Sequence, residues 1–210
     1  MAEHIEQDPN ELDQQLVQQA QQGDMSAFNQ LVERHQRAVY STCLRMLRDP
    51  HLAEDATQDA FIRAWNAIKS FRGGIVRPWL LRIATNRTYD ILRSNARRPA
   101  GSLDAQAFES EPEWTTQVGQ AENPEQFTSR GELSELLQDA LANLPEDQRL
   151  AIVLSDVQGY GYDEIAQVMD IAVGTVKSRI SRGRGRLREF LQQSPQAMEL
   201  AERYIRLNDE

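Results

Sequence analysis

Residues Tyr162–Arg188 read YDEIAQVMDIAVGTVKSRISRGRGRLR, and this stretch decides the fold. Ile165, Ala166, Val168 and Met169 form the apolar face of a short helix. Asp170-Ile171-Ala172 reads as a turn. A second helix is predicted from about Val173, with Val176, Ile180 and Leu187 at helical spacing. Between Ile171 and Arg188 there are six basic residues and no acid. With Val176, Ile180 and Leu187 inward, Ser178, Ser181 and Arg182 point outward, and Lys177, Arg179 and Arg186 lie on the flanks. A basic amphipathic helix alone fits a solvated face closing an all-α domain equally well. The short helix, the turn and the acid-free second helix together read as a helix-turn-helix for duplex DNA. Arginine bonds guanine edges, serine serves base edges or phosphates, and flanking cations neutralise phosphates.

The charge distribution supports this reading despite a net charge of −9. Residues 1–60 carry eleven acids and four bases, and residues 101–170 carry fifteen acids and two bases. Residues 61–100 reverse the balance, with nine bases against one acid. Two basic patches between acidic segments imply two nucleic-acid contacts, because local field outweighs total charge. A chain of 210 residues accommodates one or two small domains. The single cysteine, Cys43, excludes an internal disulfide and suits a reducing cytoplasm. The acidic, Gln-rich start lacks the features of a secretion signal, and no apolar run is long enough to insert in a membrane. His4 and His51 have no partners at ligand spacing, while His35 and Cys43 lie on an apolar stripe, so no metal and no cofactor are expected. P-loop, GxSxG and HExxH signatures are absent, which predicts no catalytic residue and no enzyme.

The rest of the chain is predicted as helices. Leu12, Leu16, Val17 and Ala20 give a first stripe ending near Gly23. Asp24 or Ser26 caps a second, with Phe28, Leu31, Val32, His35, Val39 and Cys43 inward. Asp49-Pro50 starts a third, running to about Ile68, whose first turns show Glu54, Asp55, Gln58 and Asp59 outward. The simpler reading is that acids near a helix N-terminus favour its dipole; four polar groups over two turns also make a docking surface for a basic partner, the lesser reading on these residues alone. After the loop KSFRGGIVRP, Pro78 is expected to open a fourth helix. Leu80, Ile83, Ala84 and Ile91 face its core; Trp79, Arg82, Asn86, Arg87 and Arg93 mix aromatic, amide and cationic chemistry. Beside a Gly-bearing loop, that mixture suits unpaired bases, and it suits a core Trp with a solvated cationic face equally well. Residues 99–131 show no sustained period and read as a flexible acidic linker. Leu133, Leu136, Leu137, Ala140, Leu141 and Leu144 form the next helix; Leu150, Ile152, Val153, Leu154 and Val157 are the buried residues of the one after it. Ser194-Pro195 begins a last short helix. The fold class is all-α, with two small helical domains on a linker.

In order along the chain, AFNQLVERHQ, EDATQDAFIRAWNAIKSFRG, WLLRIATNRTYDILR, LPEDQRLAIVL and YDEIAQVMDIAVGTVKSRISRGRGRLR resemble a bacterial sigma factor of the extracytoplasmic-function group, sigma-E-like in type. The resemblance implies a region-2 domain over 12–98, a linker over 99–131, a region-4 domain over 132–191 and a tail over 192–210. It implies that Glu54, Asp55, Gln58 and Asp59 dock on core RNA polymerase. Lys69, Arg72, Arg77, Trp79, Arg82, Asn86, Arg87 and Arg93 would capture the unpaired −10 strand. Lys177, Ser178, Arg179, Ser181, Arg182 and Arg186 would read the −35 element of promoter DNA as duplex. It also implies control by an anti-sigma factor. The sequence departs from the pattern in the short loop FRGGIVRP, with Pro78 where a small hydroxyl residue is usual, in the small Ser181, and in the extra tail from Ser194. A self-sufficient regulator binding operator DNA without polymerase is the alternative that the helix-turn-helix alone also fits.

Overall fold

The computed structural model describes residues 9–97, 134–195 and 197. Among these there are helices and no strand, as the all-α reading expects. They fall into two compact units.

The first unit comprises α1 (Pro9–Gln21), α2 (Met25–Leu47), α3 (Pro50–Ala67) with a 3-10 turn over Ile68–Ser70, and α4 (Val76–Arg97). Asp24 caps α2 by accepting from the amides of Ser26 and Ala27, and Asp49 caps α3 through the amide of Leu52, with Pro50 in the first turn. Helix α2 packs on α1, α3 and α4, so Leu31, Val39, Tyr40, Cys43 and Met46 are nearly inaccessible. Helix α4 begins at Val76 rather than at Pro78. Pro78 is buried within its first turn, where a missing N–H leaves no helical bond unmade.

The stripe also hides a polar cluster. Asp13 of α1 is buried and accepts from Arg34 Nε at 2.7 Å and His35 Nε2 at 2.8 Å. Burial alone raises the Asp13 pKa, but the hydrogen bonds from His35 and Arg34 outweigh it and hold the carboxyl below its ordinary value.

The later helices are α5 (134–142), α6 (Glu146–Ile152) continuing as a π turn over Val153–Val157, α7 (Tyr162–Met169) and α8 (Val173–Gln193), and they make up the second unit apart from the residues after Ala166 in α7. The π turn was not expected. Its wider i→i+5 winding shifts the register, so Val157 is 43% exposed instead of buried. Leu137 is likewise 42% exposed while Gln138 is buried, which rotates the inward face of α5 by one residue there. Arg149 reaches back from α6 to the carbonyls of Leu141, Ala142 and Leu144, closing the open C-terminal end of α5. Helices α6 and α8 cross at Gly183, where an added Cβ would lie 2.8 Å from Ile152 Cγ1. The linker 99–131 and the tail beyond residue 197 lie outside the described residues.

Two stability measurements check this packing. Gly183→Val should lower the thermal midpoint, equivalent to about 1–3 kcal/mol of overpacking; an unchanged midpoint would mean the helices have room to separate. Asp13→Asn should cost roughly 1.5–3 kcal/mol near neutral pH, the usual size for hydrogen bonds to a charged group. The folded-state pKa is depressed, so this stability is complete above the pKa of an unfolded aspartate, about 3.9. It is lost as the pH falls through the lower, folded value. Denaturation of the two proteins across pH 2–6 should therefore show the gap closing on the acid side, and a gap independent of pH sinks the assignment.

Candidate nucleic-acid interface

Helices α7 and α8 form the helix-turn-helix that the residue pattern requires. Ile165 and Val168 of α7 and Val176, Ile180 and Gly183 of α8 are buried, with Leu187 half-buried. The chain turns at Asp170, which adopts φ +56, a left-handed conformation that Asp tolerates better than most residues. Helix α8 starts without a side-chain cap. On its outer side Lys177, Ser178, Ser181 and Arg182 are exposed. Ser178 donates its hydroxyl to the Thr175 carbonyl at 2.9 Å, leaving its oxygen outward as an acceptor. The Lys177 ammonium stands 5.8 Å from the centre of the Tyr162 ring, a cation–π distance.

The flanks behave differently from the outer face. Arg179 pairs with Asp147 at 3.0 Å, Arg184 grips both carboxylate oxygens of Asp156 at 2.9 and 2.6 Å, and Arg186 donates to Gln148 at 3.2 Å. The Arg184 guanidinium holds the Asp156 carboxyl below its ordinary pKa, against the opposing effect of burial. Of the six basic residues of α8, three are thus bonded to α6 and its π turn. Arg179 and Arg186, both expected to face DNA, are turned toward α6 in this structure.

In the first unit the loop ahead of α4 turns at Gly73 and Gly74, with φ +98 and +100. A side chain is strained at these values, so glycine is needed here. The Phe71 ring packs on Trp79 at 4.8 Å between centroids, tilted by 48°. Trp79 is half-buried, and Arg82 and Asn86 continue the same face of α4, exposed. Lys69, Arg72 and Arg93 are also exposed, while Arg77 is half-buried. Phe71 was visible within KSFRGGIVRP but was not singled out, because a loop aromatic carries no periodic signal.

On α3, Asp55 and Gln58 are exposed and Glu54 is half-buried. Asp59 is half-buried and accepts from Arg87 Nε at 2.7 Å. Two residues assigned to different surfaces are thus partners across the α3–α4 contact. Among the described residues no group of His, Cys, Asp or Glu is arranged to hold a metal ion, and no helix is long and apolar enough to cross a membrane.

A double-mutant cycle measures the Asp59–Arg87 pair. Asp59→Ala and Arg87→Ala should each cost less than about 1 kcal/mol, and together little more than either alone, since such partly exposed pairs are weak and screened by salt. Strict additivity in chemical denaturation would show the pair to contribute nothing.

Comparison with known proteins gives the arrangement a context. Residues 31–98 match the family model of Sigma-70 region 2, and residues 134–187 match that of Sigma-70, region 4. The chain is 38% identical over 187 residues to the RNA polymerase sigma-H factor of Pseudomonas aeruginosa, covering 87% of this chain and 95% of that one. It is 42% identical over 174 residues to the ECF RNA polymerase sigma-E factor of Escherichia coli, covering 82% and 90%. Among solved structures it resembles CnrH in complex with the cytosolic domain of CnrY, with a TM-score of 0.66 and 29% identity over 87% of this chain and 99% of that one. It also resembles the sigma factor RpoE in complex with the anti-sigma factor NepR from Bartonella quintana, with a TM-score of 0.60 and 28% identity over 80% and 98%.

Proposed function

The chain belongs to the extracytoplasmic-function sigma factors of the sigma-70 family, and on that premise we propose how its two units share the work of starting transcription. It binds core RNA polymerase and directs promoter recognition and initiation. The observation that carries this function is that region 2 and region 4 both match, in order, along one chain. A regulator that binds operator DNA through α7 and α8 alone would leave α1–α4 without a role.

In this proposal the region-2 domain spans 12–98 and the region-4 domain 132–191. Helix α8 lies in the major groove of the −35 element. Arg182, Ser178 and Ser181 face base edges, and Lys177 meets phosphate. Their exposure on one line of α8 supports this. Arg179 and Arg186 contribute by holding α8 on α6, or reach phosphate from the flanks once their present partners are released. The loop Lys69–Arg77 and the face Trp79–Arg82–Asn86 of α4 receive unpaired bases of the −10 strand. Arg72, Arg77, Arg87 and Arg93 supply positive potential around them. Unstacking a base costs a few kcal/mol, and an aromatic platform with amide and cationic neighbours offsets that cost. Glu54, Asp55 and Gln58 on α3 dock on the polymerase, with Asp59 tied to Arg87 beneath them. The protein itself carries out no covalent chemistry, and it acts in the cytoplasm with the polymerase. The two structural relatives were solved bound to partner proteins, one of them an anti-sigma factor, which supports control of this chain by an anti-sigma factor.

In vitro transcription with core polymerase and a promoter library tests the whole reading: the chain should select promoters with a common −35 and −10 pair. Arg182→Ala should reduce use of those promoters by an amount equivalent to about 1–3 kcal/mol, the usual size of one bidentate base contact. A promoter with a scrambled −35 element should be indifferent to the substitution. Failure to bind core enzyme or to initiate at any site sinks the function, whereas equal loss on the scrambled promoter sinks only the role of Arg182.

A further inference from the structure

Helix α1 carries none of the residues assigned above to DNA or polymerase, yet two of its glutamines reach the loop ahead of α4. Gln21 Nε2 donates to the carbonyls of Ile68 at 3.0 Å and Phe71 at 2.8 Å. Gln14 Nε2 donates to the carbonyl of Gly74. Seven residues make close to two helical turns, so these side chains share one face of α1, about 10 Å apart along its axis. That spacing sets one amide at each end of the segment Phe71–Gly74. Both glutamines are half-buried, whereas Gln15, Gln18 and Gln19 on the same helix are exposed.

The segment needs such support. The end of the 3-10 turn leaves carbonyls without helical partners, and Gly73 and Gly74 restrict the backbone little on their own. Phe71 connects the anchor to the interface: its carbonyl is held by Gln21, and its ring packs on Trp79. A shift of the Phe71 backbone moves the ring that lies against Trp79.

We propose that Gln14 and Gln21 are positioning residues that set the path of the Phe71–Gly74 loop and, through Phe71 and Trp79, the base preference at the −10 element. The proposal rests on the assignment of this loop to the −10 strand. Without the two amides the loop samples several paths, and its discrimination between bases falls while its cationic attraction for the strand persists.

The test uses the full chain carrying Gln14→Met and Gln21→Met together, since methionine keeps the length of the side chain and removes the donors. Asn86→Ala, an exposed substitution on the face that receives the bases, is the comparison. Amide hydrogen exchange is followed across residues 71–75. Transcription by the reconstituted holoenzyme is measured on promoters that differ only in −10 bases. Loop exchange in the double variant should quicken by about tenfold, as expected for the loss of one or two hydrogen bonds. The ratio of use between preferred and altered −10 elements should fall roughly 3–10-fold. The thermal midpoint should fall by no more than the loss of one or two hydrogen bonds brings, and affinity for core enzyme and −35 dependence should not move. Unchanged loop exchange overturns the proposal. Faster exchange with an unaltered −10 ratio also overturns it when Asn86→Ala does shift that ratio. If Asn86→Ala leaves the ratio untouched as well, this surface does not read the −10 element and the proposal falls with that assignment. Equal loss on every promoter with a lowered midpoint makes α1 a general support and overturns it too.

Discussion

Arginines that border buried helical faces are met by carboxylates of the helix packed against them, and this pairing recurs in both units. In the first, Arg34 borders the α2 stripe and meets Asp13 of α1, and Arg87 borders the α4 stripe and meets Asp59 of α3. In the second, Arg179 and Arg184 border the α8 stripe and meet Asp147 and Asp156 of the segment packed against it. Each pair is formed between helices rather than within one. Individually such pairs contribute little where they are exposed. Collectively they fix the rotation of each helix about its axis, because an apolar stripe tolerates small rotations and a carboxylate within 3.0 Å of a guanidinium does not.

Rotation is what separates the legible part of this fold from the illegible part. The helices, the capping by Asp24 and Asp49, and the turn at Asp170 all follow from local chemistry and period, and they stand where the pattern puts them. The α8 outer line of Ser178, Ser181 and Arg182 followed from the inward positions of Val176 and Ile180 alone. The pairing partners did not follow, because the choice of Asp147 for Arg179 depends on how α6 crosses α8, which no window of sequence contains. Gly183 was missed for a related reason. It counts as neutral in a hydrophobic period, although its lack of a side chain is what brings Ile152 close. One extra residue in a winding leaves no compositional mark, so an unbroken 3.6 period puts Val157 inward where the π turn leaves it exposed, and in α5 the same period puts Leu137 inward where the neighbouring Gln138 is the buried residue.

The candidate site shows the same division. Trp79, Arg82 and Asn86 share a face because positions three and four apart always do. That Trp79 packs on Phe71, and that Phe71 is held from α1, joins residues 21, 71 and 79 through a loop whose path is set by tertiary contacts. Asp59 and Arg87 carried opposite charges in two motifs and were read as belonging to two partners, whereas the α3–α4 contact makes them partners of each other.

This pairing also changes what the charge of the chain means. Six basic residues between Ile171 and Arg188 suggest a strong non-specific hold on duplex DNA. With Arg179 and Arg184 paired to Asp147 and Asp156, the charge of these two is largely compensated before DNA arrives, while Arg186 is tied to the neutral Gln148 and keeps its charge. Counterion release is then limited to the remaining cations of α8, and the chain as a whole carries −9. A helix arranged this way attracts duplex weakly at long range and depends on short-range contacts from its outer line. For a protein proposed to act at a few promoters while attached to a polymerase, that balance is physically sensible: sequence-independent affinity would compete with the target at every other site, and the outer line of α8 is the part that distinguishes one duplex from another.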